Sequence, residues 1–259
     1  MNATPEGLAS RGSALSIAAL GWGVGGLVIV DGVDLEIGRG EFVSVIGPNG
    51  AGKTSLINLV SGVYSPRSGT VALLGEDVTR LRPADRTRRG LGRTFQTSSL
   101  FPGLSVEENV RLAAQAALGG SLNVIVAPRP GDEASERAAT ALERVGLADR
   151  RTDTVRELSH GDKRKLEMAV VLAGDAQVLL LDEPTAGVSV EETRPLVDLI
   201  HDVHQGGATI VMVEHRMEFV VDVSDRIAVM HEGSLLTVGT PAEVMADERV
   251  RSAYLGTRR

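Results

Sequence analysis

Phe42-Val43-Ser44-Val45-Ile46-Gly47-Pro48-Asn49-Gly50-Ala51-Gly52-Lys53-Thr54 is the stretch on which the fold turns. Its first five residues, rich in β-branched and aromatic side chains, predict a buried strand. Residues 53–61 predict the helix that follows, with Gly62 as its stop. Between them the sequence fits G-x-x-x-x-G-K-[ST], where mechanism requires it: on a loop leaving a strand and opening a helix. The glycines let successive backbone N–H groups turn inward, and the helix start adds the positive end of its dipole. An anionic phosphate group suits that cradle. Lys53 is then placed to reach the β and γ oxygens of a triphosphate, and Thr54 to ligate Mg²⁺. Gly47, Pro48, Asn49, Gly50, Ala51, Gly52, Lys53, Thr54 and Ser55 are therefore candidate contacts to ATP. The competing reading is a glycine-rich turn that caps a helix and binds nothing, and it leaves the joint match of spacing, strand and helix without a cause.

Working outward, residues 178–181 and 209–213 predict two more buried strands, separated by a helical stretch at 191–204. Such alternation predicts a parallel sheet wrapped by helices. Residues 15–17, 33–37 and 70–74 read as half-buried strands joined by turns, a small antiparallel layer beside that core. From 105 to 173 the pattern is mostly helical, broken at Gly119-Gly120 and at residues 128–131. The expectation is one α/β unit over residues 14–259 with a helical lobe at roughly 98–174, preceded by a loose tail at 1–13.

Val178-Leu179-Leu180-Leu181-Asp182-Glu183 is an apolar strand ending in two acids. In an open α/β sheet the carboxyl ends of the strands form the ligand crevice, so acids there face the nucleotide. Asp182 is placed to hold Mg²⁺ through water, and Glu183 is the candidate general base for the attacking water. Taken alone, the pair reads equally well as an acidic turn before Pro184; the phosphate loop upstream decides against that. His215, following the third strand and Glu214, stands at the same edge, where it can touch a γ-phosphate; away from such a site it would read as an ordinary solvated histidine.

Composition bounds the rest. The chain has 259 residues, 42% hydrophobic and 24% charged, enough for a well-cored unit. It has no cysteine, which excludes disulfides and thiolate metal sites and fits a reducing compartment. A net charge of −7 repels nucleic acid backbones and gives no general attraction to anionic lipid. The basic run Arg80, Arg82, Arg86, Arg88, Arg89 and Arg93 is read as a solvated face, or a contact with a membrane partner, rather than a nucleic acid site.

Leu158-Ser159-His160-Gly161-Asp162, lying before a helix and ahead of the two-acid strand, resembles the LSGGQ signature of ABC ATPases. The order Gln96, signature, Asp182-Glu183, His215 makes the joint match specific, and it spans the chain from about residue 15 to 255. The resemblance implies a P-loop NTPase core with a helical signature lobe, as in ABC ATPases. It implies two subunits sandwiching ATP, with Ser159, His160, Gly161 and Asp162 facing the γ-phosphate held by the other subunit. It implies that Gln96, in Arg93-Thr94-Phe95-Gln96, joins Mg²⁺ or the attacking water to the permease interface; on its own it reads as a loop amide. Gly25-Gly26-Leu27-Val28, the run from Phe101 to Val110 and the end Arg249 to Gly256 are similar to importers of branched-chain amino acids and their urea or amide relatives. The partners implied are transmembrane permease subunits, a second ATP-binding subunit, identical or paralogous, and indirectly an extracytoplasmic solute-binding protein. The place implied is the cytoplasmic face of the plasma membrane. The alternative is a soluble ABC ATPase acting on nucleic acid or ribosomes without transport.

Three departures stand out. Val24 occupies the position where most relatives carry an adenine-stacking aromatic, and Trp22, two residues earlier, is the candidate substitute or else packing. Asp162 stands in place of the usual Gln, putting a carboxylate near a phosphate ligand, which weakens closure unless an Arg offsets it. Ser189 sits where many members carry Asp.

Overall fold

The computed structural model describes residues 12–94, 100–119 and 131–255. Its centre is a six-stranded sheet in the order β10-β9-β3-β8-β7-β6, made of β3 (Phe42–Ile46), β6 (Leu91–Arg93), β7 (Val178–Asp182), β8 (Thr209–Val213), β9 (Arg226–His231) and β10 (Ser234–Gly239). All neighbours in it pair in parallel except the β9–β10 hairpin. The three strands expected from the sequence are its middle.

Strand alternation shows why these runs are largely apolar, with the buried Ser44 hydroxyl paired to that of Ser224. Phe42 and Ile46, Leu179 and Leu181, and Ile210 and Met212 enter one core, while Val43 and Val45, Val178 and Leu180, and Val211 and Val213 enter another. A sheet covered on both faces tolerates no polar alternation. The second core is closed by α1 (Lys53–Val60) and by a four-stranded antiparallel sheet, β2-β1-β4-β5. That sheet is β1 (Ser13–Val24), β2 (Leu27–Gly38), β4 (Ser68–Leu73) and β5 (Glu76–Asp77). β1 and β2 run twelve residues each, longer than expected, because register shifts along the ladder carry pairing through Gly21 and Gly23 up to the Gly25-Gly26 turn.

The first core is closed by α3 (Val106–Ala117), α4 (Glu133–Arg144) and α5 (His160–Ala173), which pack on one another, and by α6 (Val190–Gln205) and α7 (Met217–Val223). Of the two expected breaks, Gly119 follows α3 and Gly131 precedes α4, both with positive φ; residues 120–130 lie outside the described residues, as do 1–11, 95–99 and 256–259. Short helices α2 (Pro83–Thr87), α8 (Pro241–Ala246) and α9 (Glu248–Leu255) complete the set.

The arginine run corrects one expectation. Arg86 is 1% exposed, not solvated: its guanidinium donates to the carbonyls of Leu59 and Val60 at the end of α1, and to those of Thr79 and Leu81. A helix C-terminus leaves such carbonyls without intrahelical partners and favours a cation. Arg93 is mostly covered as well, its side chain 9% exposed. The remainder of the run matches the solvated-face expectation only where arginines pair with surface acids, as Arg82 and Arg88 do with Asp85.

Candidate functional site

In the strand order, β8 lies between β3 and β7. The three loops leaving their carboxyl ends therefore adjoin: the phosphate loop, His215, and the Asp182-Glu183 turn. Sequence spacing alone does not show that His215 comes off the middle strand.

Gly52 is the N-cap of α1 with φ +97°, a left-handed conformation that costs a side-chain-bearing residue most. No side chain caps this helix start, in contrast to α3, α5, α6 and α8, whose N-cap Ser or Thr accepts a backbone N–H. The first-turn N–H groups of α1 are thus left to an anion. Lys53, 6% exposed, donates to Gly47 O at 2.7 Å and Pro48 O at 3.0 Å, fixing its ammonium inside the loop. Burial lowers its pKa, while Glu183 and Asp182 push it back up. Thr54 is exposed and Ser55 half-buried on the same turn. Pro48, Asn49, Gly50 and Ala51 share a cavity of about 770 Å³ with α9.

Asp182 is 1% exposed. Arg93 donates to its Oδ2 at 3.3 Å and to Ser61 Oγ at 2.6 Å. Its other oxygen, Oδ1, is buried with no hydrogen-bond partner. Burial raises its pKa, opposed by Arg93 and reinforced by Glu183. Glu183 has φ +50°, a strained backbone of the sort that persists where its surroundings dictate it. Its Oε1 lies 2.6 Å from His215 Nε2.

The signature segment sits elsewhere. Ser159 caps α5, accepting from Asp162 N at 3.0 Å, and its hydroxyl donates to Glu192 Oε1 at 2.8 Å. Glu192 lies so close over Gly161 that a Cβ there would approach its carboxyl carbon to 2.6 Å. The other oxygen of Glu192 accepts from Ser189 at 3.3 Å. His160 is exposed. Asp162 is held by Arg150 at 2.7 Å and by Lys165 at 3.6 Å, so the offsetting arginine is present in this chain. Residues 148–162 do not bring these groups to the chain's own phosphate loop, and the described contacts link the segment to α6 instead.

Trp22 stacks on Tyr64 with ring centroids 4.3 Å apart and planes 10° apart. Val24, 58% exposed, stands at the hairpin tip. Gln96 lies outside the described residues. Sequence reading missed Arg93 as the partner of Asp182, Arg150 as that of Asp162, Glu192 as that of Ser159, and the hydrogen bonds of Glu214. A basic residue three positions before Gln96 was a visible signal for the first; the other three carry none in sequence.

A glycine-rich loop between a buried strand and an uncapped helix, facing acids at the carboxyl edge of a parallel sheet, defines a nucleotide-binding α/β cassette. Residues 30–186 match the family described as ABC transporter, and residues 234–259 match the branched-chain amino acid ATP-binding cassette transporter family. The chain belongs to the ABC transporter family, within its ATP-binding subunits. It is 39% identical over 248 residues to the high-affinity branched-chain amino acid transport ATP-binding protein LivG of Escherichia coli (strain K12), covering 93% of this chain and 97% of that one. BraF of Pseudomonas aeruginosa, also a high-affinity branched-chain amino acid transport ATP-binding protein, is 36% identical over the same shares. Among solved structures, the ADP conformation of MJ1267, an ATP-binding cassette of an ABC transporter, superposes with a TM-score of 0.85 at 27% identity, over 95% of this chain and 100% of that one. CbiO1 of Clostridium perfringens, part of the cbiONQ transporter complex, gives 0.78 at 29% identity, over 95% and 96%. The importer ATPase reading fits these relatives, and the soluble nucleic-acid or ribosome ATPase does not.

Proposed function

We propose that this chain hydrolyses ATP to drive an importer of branched-chain amino acids, working as one of two ATP-binding subunits on transmembrane permeases at the cytoplasmic face of the membrane. One observation carries the chemistry: the uncapped α1 start with Lys53, the buried Asp182 and the Glu183–His215 pair converge on one edge of the sheet. In the reaction, water attacks the γ-phosphorus, the bond to the β–γ bridging oxygen breaks, and ADP and phosphate leave. Glu183 orients the water and takes its proton; His215 holds the Glu183 carboxylate and faces the γ-phosphate. The loop amides and Lys53 hold the oxygens on which charge develops. The buried, partnerless Oδ1 of Asp182 and the exposed Thr54 hydroxyl are hard oxygen donors that fit Mg²⁺. Bound there, Mg²⁺ would neutralise phosphate charge. In this reading Gln96 would join Mg²⁺ or the attacking water to the permease interface. The signature residues 159–162 serve the partner subunit's ATP, and adenine rests on the apolar Val24 tip, with Trp22 behind it as support.

The cargo rests on LivG and BraF, whose names specify branched-chain amino acids, and on the matched C-terminal segment. They favour that class over urea or short amides. A solute-binding protein would then deliver the cargo. Among the described residues no helix is long and apolar enough to cross a membrane, so the membrane attachment proposed runs through the permeases.

Glu183→Gln tests the reading. With Mg-ATP the variant keeps nucleotide binding, loses hydrolysis and accumulates as a dimer on size-exclusion chromatography. Wild-type turnover in that variant, or no ATP-dependent dimer, would overturn it.

A further inference from the structure

Glu214 is the most heavily engaged side chain at this edge, and the reaction as drawn does not use it. It follows β8 and continues the alternation of Ile210 and Met212, so it points away from the α1 face. Only 3% of it is exposed. Its Oε1 accepts from the Thr185 amide at 3.3 Å and from the Thr185 hydroxyl in a short contact. Its Oε2 accepts from the amides of His215 at 2.6 Å and Arg216 at 3.3 Å. Four donors from two loops thus converge on one carboxylate.

Those two loops carry Glu183 and His215. Thr185 belongs to the turn that begins at Glu183, closed by Ala186 N to Glu183 O at 3.0 Å and Val188 N to Thr185 O at 3.2 Å. His215 and Arg216 lead into α7. The Glu183 and His215 side chains are 20% and 42% exposed, and each leaves its own loop, Glu183 after β7 and His215 after β8. Their 2.6 Å contact depends on the relative position of the two loops, and Glu214 is a side chain that bridges them, beside the Asp182–Val213 pairing of the β7–β8 ladder and the Glu183 N to Val213 O bond at 2.9 Å.

We propose that Glu214 is a positioning residue for hydrolysis: its buried carboxylate clamps the Thr185 turn to the His215 loop and so holds Glu183 and His215 in register. A carboxylate suits the site because three of the four neighbours are backbone N–H groups that can only donate, and the fourth, the Thr185 hydroxyl, donates to it as well. An amide offers one oxygen and turns an NH₂ toward at least one backbone N–H, so one side of the clamp weakens. The inference rests on the proposed roles of Glu183 and His215.

The test is Glu214→Gln in the full chain with its membrane companions, followed by ATPase kinetics and equilibrium binding of ATP. The expected result is a kcat reduced about tenfold, equivalent to about 1.4 kcal/mol, with KM and ATP affinity within about twofold of wild type. Thr185→Val, which removes a single donor and leaves the carboxylate in place, is expected to lower kcat about threefold with the same unchanged KM. It decides the matter where Glu214→Gln does not fold. Unchanged kcat, or nucleotide binding lost in step with kcat, overturns the proposal. Failure of the wider reading is told apart by Glu183→Gln: if that variant is inactive while Glu214→Gln turns over normally, only the clamp is wrong.

Discussion

The phosphate loop and the signature end of α5 are both helix N-termini directed at phosphate in the proposed reaction, yet they are built in opposite ways. The loop is framed by buried groups, Lys53 at 6% and Asp182 at 1% exposure, and its helix start has no side-chain cap. The signature end is at the surface, capped by its own Ser159, with that hydroxyl given to Glu192 and Asp162 paired to Arg150 and Lys165. One half is ready for its ligand as folded. In the other, the Ser159 hydroxyl and the Asp162 carboxylate are engaged within the chain, and in the proposed reaction closing onto a partner's ATP requires the Ser159 contact to be exchanged.

The largest test of the contrast falls on the finished half. Lys53→Ala removes the one ammonium in the loop, and ATP affinity is expected to fall at least about a hundredfold, on the scale of 2.7 kcal/mol, measured by equilibrium nucleotide binding. Stability to denaturant should change little or rise, because burial disfavours the charged lysine. A loss below about tenfold would mean that the amides alone make the site.

The second test is on the signature half. Arg150→Ala leaves Asp162 with Lys165 as its remaining ion-pair partner at longer range. With Glu183→Gln as background, the ATP concentration that half-saturates dimerisation should rise roughly fivefold, the scale of a partly exposed ion pair. Asp162→Gln should preserve or raise turnover in the assembled transporter, and combined with Arg150→Ala it should cancel most of the rise. If the double variant is as impaired as Arg150→Ala, the charge of Asp162 is not what Arg150 offsets.

The same contrast explains what could be read in advance. The phosphate loop, both acids and the β3, β7 and β8 runs were legible because each has a local signature: a spacing, or an apolar run that a doubly covered sheet demands. What escaped reading was pairing across sequence distance. Arg86 has the composition of a surface arginine, and only the end of α1, more than twenty residues away, makes it a core residue. Trp22 stacks on Tyr64, forty-two positions on, a contact with no local signature. Arg150 and Glu192 answer Asp162 and Ser159 from neighbouring elements that no periodicity points to. Tertiary contacts of exposed charged residues leave no pattern in a single sequence.

Glu192 gives a smaller and sharper test. The Ser159 hydroxyl has one proton, and Glu192 Oε1 accepts it at 2.8 Å; to donate to a phosphate it must let go. Glu192→Gln keeps the shape over Gly161 and removes a negative charge from the approach of an anion. In the Glu183→Gln background, dimerisation should therefore need roughly two- to threefold less ATP. An unchanged or higher requirement would show that the bond positions Ser159 rather than withholding it.

The smallest effect concerns what anchors the helical lobe on the signature side. α3 begins with a capping box in which Ser105 accepts from Glu108 N, and Glu108 accepts from Ser105 N and Oγ, both at 2.9 Å. These bonds hold the Glu108 pKa below its ordinary value, the backbone one first. A carboxylate whose folded pKa is depressed stabilises the fold fully above its unfolded pKa, and that stabilisation is lost as pH falls through the folded value. Glu108 is largely solvated, so screening keeps the effect small. Thermal melts of wild type and Glu108→Gln should differ modestly at pH 7 and converge as pH drops below the ordinary glutamate range. Convergence is the sign that matters: a gap that widens in acid would mean that the box acts through shape and not charge, and that the surface half of the molecule is held by something other than its exposed carboxylates.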